Sequence, residues 1–84
     1  MTGILRYPLS TEKAINQIGR SNVIAYVVDY RATKQQIKKE FEATFSVKVS
    51  GIRTMTTASN RKKAFVTVAQ GYKAEDIAKR LKLV

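Results

Sequence analysis

Residues 23–28 read Val23-Ile24-Ala25-Tyr26-Val27-Val28, a dense β-branched run that reads as a strand. Both of its alternation sets are apolar: Ile24, Tyr26 and Val28 would lie on one face, and Val23, Ala25 and Val27 on the other. A strand apolar on both sides is expected to be central in its sheet and covered above and below. Asp29 ends the run. The whole chain has 84 residues, enough for one domain, 1–84, and not for two. The core of so short a domain is modest.

The flanking segments supply the other elements. A first strand is expected around Ile4 to Tyr7, stopped by Pro8, the sole proline. Ser10 or Thr11 caps a helix that runs to about Ile18, with Glu12 in its first turn, Ala14, Ile15 and Ile18 on its apolar face, and Gly19 as its stop. Thr33 with Gln36 forms a capping-box pattern. The helix it opens carries Ile37, Phe41 and Phe45 at i, i+4 and i+8. Val47 to Met55 reads as a strand, Thr56 to Arg61 as a polar loop containing Ser59 and Asn60, and Lys62 to Ala69 as the returning strand of a hairpin. Gly71 breaks the pattern, and Ala74 to Leu83 forms the last helix, with Ile77, Ala78 and Leu81 facing inward. Its acids, Glu75 and Asp76, come first and its bases, Lys79, Arg80 and Lys82, come last, which complements the helix dipole. The order β-α-β-α-β-β-α points to a compact α+β domain with one small sheet.

Charge narrows the function. Lys plus Arg number 16 against 6 Asp plus Glu, a net +10 that suits a polyanionic partner. The bases are also unevenly placed. Between Ala43 and Ala74 there is no acid, while Lys48, Arg53, Arg61, Lys62, Lys63 and Lys73 fall there. A second group, Arg31, Lys34 and Lys38, surrounds the Thr33 cap, and Lys34 and Lys38 lie about one helical turn apart. Arg, Lys, Thr hydroxyls and helix N-termini are the usual phosphate contacts. Any single lysine here reads as ordinary surface; the group together, unbalanced by acid, reads as a binding surface.

Other chemistries find little support. The chain has no Cys and no His, which excludes a disulfide framework, thiolate or imidazole metal sites, and His- or Cys-based catalysis. It fits a reducing, intracellular compartment. No apolar run approaches the ~18 residues of a membrane span, and the start, Met1 to Arg6, lacks the apolar stretch of a signal peptide. The four glycines, Gly3, Gly19, Gly51 and Gly71, are scattered and form no phosphate loop. Arg20 and Asn22 before a strand are only weakly similar to an acyl-phosphate hydrolase site, so no enzyme, cofactor, metal or small-molecule substrate is expected. Tyr26, Phe41, Phe45 and Phe65 sit at apolar positions and are expected in the core. Tyr7, Tyr30 and Tyr72 flank elements, where base stacking and loop packing are equally compatible. No aromatic pair has the spacing of an RNA-recognition sheet.

Four segments in order resemble the universal large-subunit ribosomal protein twenty-three family. Tyr7-Pro8-Leu9-Ser10-Thr11-Glu12-Lys13-Ala14 is similar to the family's Pro-x-(Ser/Thr)-Glu-Lys-Ala opening. Val28-Asp29-Tyr30-Arg31-Ala32-Thr33-Lys34 through Lys38 resembles its second signature, a strand ending in Asp and a basic segment opening a helix. Phe45 to Val49 with Ile52 to Met55, and then Lys62 to Val66, resemble its hairpin. The resemblance implies a three-layer α/β/α domain with an antiparallel sheet. It implies a non-enzymatic, structural role: binding large-subunit rRNA beside the exit of the nascent-chain tunnel, in a cytoplasmic ribosome. Its implied partners are large-subunit ribosomal protein twenty-nine and the signal recognition particle or other nascent-chain factors. The family's contact for such factors falls on Glu12. Bacterial members carry a long hairpin loop, whereas Thr56 to Lys62 here spans about seven residues and projects about 10 Å. The short loop, the Ala74 to Ala78 helix and the lack of long tails are similar to archaeal members; the basic N-terminal extension of eukaryotic members is missing.

The residues expected to meet rRNA are Thr11, Lys13, Arg31, Thr33, Lys34, Lys38, Arg53, Arg61, Lys62 and Lys63. The alternative is a free-standing basic module for DNA or anionic membrane surfaces. No helix combines a strongly basic face with a wide apolar one, which disfavours the membrane form.

Overall fold

The computed structural model describes residues 4–57 and 61–83. Its elements are β1 (Leu5–Pro8), α1 (Glu12–Ser21), β2 (Val23–Val28), α2 (Lys34–Phe45), β3 (Val49–Thr56), β4 (Lys62–Val68) and α3 (Ala74–Arg80). The strands form one antiparallel sheet in the order β1-β2-β4-β3. β2 is therefore central, as its two apolar faces require.

The register assigns the faces. Ile24 pairs with Val66 and Tyr26 with Ala64, so these side chains and those of Val28 and Val68 share one face. α2 lays Ile37, Phe41 and Phe45 on it, all buried. Tyr26 meets Phe41 edge-on at 6.4 Å and Phe45 at 6.3 Å, and the two phenylalanines lie 4.7 Å apart. Such ring pairs add about 0.5–1.5 kcal/mol each beyond burial. Ala74, Ile77 and Ala78 of α3 close the same cluster. The turn from α2 to β3 is held from both sides. Ser46 adopts the left-handed conformation, Arg80 Nη1 donates to the Phe45 carbonyl at 3.0 Å, and Glu42 Oε2 accepts from Val49 N–H at 2.9 Å.

The second face carries Val23, Ala25 and Val27, and α1 covers it at β2, with Ala14 buried. Helices thus occupy both faces, the three-layer arrangement the resemblance implies.

Several expected boundaries move. α1 begins at its Thr11 cap, whose Oγ1 accepts from Ala14 N–H at 3.3 Å. It does not stop at Gly19 but continues to Ser21, because Asn22 adopts the left-handed φ of 56° that ends it. Asn22 also donates from Nδ2 to the Val68 and Tyr72 carbonyls, both at 3.0 Å, and accepts from Ala74 N–H through Oδ1. It serves as a structural clamp between α1, the end of β4 and the start of α3. β1 includes Pro8, which the sheet tolerates because β1 is an edge strand. β3 starts at Val49 rather than Val47, since Val47 and Lys48 belong to the turn out of α2. β4 stops at Val68. α3 ends at Arg80, followed by a Schellman turn: Lys82 is left-handed, Leu83 N–H donates to Ala78 O, and Lys82 N–H to Lys79 O. Leu81 is only partly buried there, as is Ile15 on α1. Ser59 and Asn60 of the expected polar loop lie outside the described residues.

Candidate nucleic-acid interface

The expected contact residues divide into three groups. The first surrounds the start of α2. Asp29 Oδ1 accepts from Arg31 N–H at 3.0 Å and Oδ2 pairs with Arg6 at 3.1 Å, which shapes the turn out of β2. Thr33 and Gln36 complete the capping box: Thr33 Oγ1 accepts from Gln36 N–H at 3.2 Å, and Gln36 Oε1 from Thr33 N–H at 3.0 Å. The helix it starts leaves Lys34 and Lys38 exposed. Arg31 lies 5.4 Å over the Tyr30 ring and donates from Nε to its hydroxyl at 3.3 Å. Lys62 comes to this group from β4, where its Nζ donates to the Ala32 carbonyl at 2.7 Å, a bond that uses one of the three ammonium donors.

The second group lies on the α1 face. Arg53 pairs with Phe65 and Met55 with Lys63 across β3 and β4, so all four side chains share a face, the one opposite the aromatic core. α1 reaches over β2 only, and a groove of about 610 Å³ remains between it and the hairpin. Thr11 and Lys13 line it from the helix side, Arg53 and Lys63 from the sheet side. Among the described residues lining it, none is acidic.

The third group occupies a smaller recess of about 400 Å³ beside the end of β2. Arg61 lines it and donates from Nη1 to the Tyr7 hydroxyl at 3.2 Å. Arg6, Tyr7 and Tyr30 complete its walls, the two tyrosines 45% and 55% exposed. Asp29, paired with Arg6, is its acid.

The expected contact residues therefore belong to three separate clusters, and the sequence reading leaves out Arg6, Met55 and Phe65, which line two of them. Arg6 lies inside the expected first strand, where nothing local marks it as a contact, and the recess it lines closes only through Arg61 and Tyr7, 54 residues apart. Phe65, expected in the core, instead faces the groove and is half-buried. The reason is register: Phe65 stands opposite Ala25, on the α1 face, while Ala64, Val66 and Val68 take the core. Met55, its diagonal neighbour, is 52% exposed. Strict alternation along β4 was the signal that would have placed Phe65 correctly.

Among the described residues no helix is long and apolar enough to cross a membrane, and no cluster of acids could hold a metal ion. The arrangement offers fixed cations, hydroxyls and exposed rings on a rigid sheet, which suits binding and positioning.

Comparison with known proteins gives the same direction. The family model described as ribosomal protein L23 matches residues 3–73. The large ribosomal subunit protein uL23 of Trypanosoma brucei brucei is 37% identical over 81 residues, covering 96% of this chain and 49% of that protein. The chain thus spans about half the length of this relative.

Proposed function

The chain belongs to the ribosomal protein L23 family, a family of structural, non-catalytic ribosomal proteins, and from that premise we propose that it binds large-subunit rRNA beside the polypeptide tunnel exit. The observation that carries this reading is the convergence of Lys13, Arg53 and Lys63 on one groove whose described lining holds no acid. The exposed Lys34 and Lys38 at the start of α2 add a second phosphate-binding surface. Each of these cations sits on an element fixed by a cap or by the sheet, so the loss of side-chain freedom on binding is the main ordering cost.

Within the family, the short connection between Thr56 and Lys62 supports an archaeal-type assignment. Glu12, exposed at the first position of α1, is the proposed contact for the signal recognition particle or other nascent-chain factors, and large-subunit protein twenty-nine is the proposed neighbour. The proposed location is the large subunit of cytoplasmic ribosomes.

The test is titration of the chain against a large-subunit rRNA fragment at several salt concentrations. Neutralising about six phosphates predicts a log–log slope steeper than about −3. A slope near zero overturns the basic surface as the binding site. Sedimenting a lysate at low and high salt then separates a subunit-bound pool from the free or chromatin-bound pool of a free-standing module.

A further inference from the structure

We propose that the groove between α1 and the β3–β4 hairpin seats an unstacked nucleotide base on Phe65, with the adjoining phosphates on Arg53 and Lys63. This rests on the RNA-binding reading and assigns it a site.

The groove differs from a plain cationic surface. Its floor is apolar: Phe65 is half-buried on the inner strand β4, and Met55 stands beside it on β3, more than half exposed. The two cations flank that floor in the register of the sheet. Arg53 is directly opposite Phe65, and Lys63 is directly opposite Met55. Directly opposed residues have Cβ atoms about 5 Å apart, so each apolar group has a cation at its side. Across the groove, Lys13, Thr11 and Gln17 of α1 bring a third cation, a hydroxyl and an amide.

That combination matches a nucleotide part by part. A base has a flat apolar face and a polar edge, and its linkage is anionic. Phe65 presents a ring to the face, Met55 a polarizable thioether to the rim, and Gln17 and Thr11 offer hydrogen bonds to the edge. An aliphatic peptide side chain would use the floor but would leave the three cations without counter-charge; an acidic peptide would use the cations but not the floor. An unstacked base in single-stranded RNA uses both. Among the described residues Phe65 is the one ring that lines the groove, so the site takes one base rather than a stacked pair.

The chain has no tryptophan, so Phe65→Trp makes the site its own single fluorophore. The probe is decaadenylate, with decaglutamate as the acidic-peptide control. Decaadenylate is expected to quench the new fluorescence saturably, and decaglutamate is not. Phe65→Leu keeps apolar bulk but removes the ring, and is expected to weaken decaadenylate binding about fivefold or more, while Phe65→Trp binds as tightly as the natural chain. Should Phe65→Leu unfold, Met55→Ala, at an exposed position, serves instead, with a loss of about twofold or more expected. Equal binding by the natural chain and the folded variant overturns the site while leaving rRNA binding intact. Quenching by decaglutamate alone overturns it in favour of a protein partner. Failure of the natural chain itself to bind the rRNA fragment in dilute buffer instead removes the RNA-binding reading on which the site rests.

Discussion

Lys62 and Lys63 are neighbours in sequence and leave β4 on opposite sides of the sheet. Lys62 Nζ donates to the Ala32 carbonyl at 2.7 Å on the α2 side, and Lys63 lines the groove on the α1 side. One therefore ties β4 to the entry of α2, and the other faces solvent and any ligand. Lys62→Met is expected to cost about 1.5–3 kcal/mol of stability, the range for a hydrogen bond to a charged group, and to leave the salt slope of RNA binding unchanged. Lys63→Met is expected to change stability little and to reduce that slope by about one. Denaturant unfolding and salt titrations of both variants check the pair; equal slopes would place Lys63 outside the interface.

Asn22 joins three elements through one side chain and a left-handed backbone. Asn22→Gly retains the φ of 56° without strain but loses all three side-chain hydrogen bonds. At about 1 kcal/mol per bond the expected loss is about 2–4 kcal/mol. Asn22→Ala is expected to lose about 1 kcal/mol more, for the left-handed backbone. Urea midpoints of the two variants, compared with each other, separate the conformational part from the hydrogen-bonded part.

Asn22, together with Phe65, also shows what is legible in the sequence. Local signals sufficed for the capping box at Thr33, the bifacial strand at Val23–Val28 and the Ile37, Phe41, Phe45 stripe, because each is written within about two helical turns or one strand. Gly19 reads as a helix stop by the same local logic, but Asn22 overrides it with partners 46 and 50 residues away. Phe65 failed for a related reason. Hydrophobicity alone favours the core, whereas pairing with Ala25 fixes the face. The bases of the candidate site were recognised as residues, but their division among a groove, a recess and a helix start depends on strand order β1-β2-β4-β3, which sequence spacing does not specify.

Burial pushes the Tyr26 phenol above its ordinary pKa of 10.0. In the unfolded chain it ionises near about 10, while the folded chain holds the proton to higher pH, so unfolding releases a proton above that point. The contribution is present in full below about pH 10 and is lost as pH rises through the raised folded value. The comparison is made against Tyr26→Phe, which removes the phenol hydroxyl and keeps every other ionisable group of the chain. The stability difference between the natural chain and Tyr26→Phe is expected to be flat up to about pH 9 and then to shift steadily against the natural chain towards about pH 11. Parallel urea titrations across that range check it; a constant difference would mean that the phenol is equally hydrated in both states.

Reversing Lys34 and Lys38 to Glu tests the start of α2 as a phosphate surface without confounding it with unfolding. Lys34 is the first residue of α2 and Lys79 lies in the last turn of α3, followed by Lys82 in the turn that ends it. A carboxylate is favoured at a helix N-terminus and disfavoured at a C-terminus by about 0.3–1 kcal/mol each. Lys34→Glu with Lys38→Glu should therefore hold or slightly raise stability while weakening rRNA binding. Lys79→Glu with Lys82→Glu should lower stability slightly and weaken binding less. Both double variants remove the same net charge, so any difference in affinity reports position and not overall charge. Binding and thermal unfolding are thus expected to move in opposite senses between the two variants, an ordering that destabilisation alone cannot produce. Equal losses of affinity would move the site away from the start of α2, to the α1 face or to the recess lined by Arg6 and Arg61.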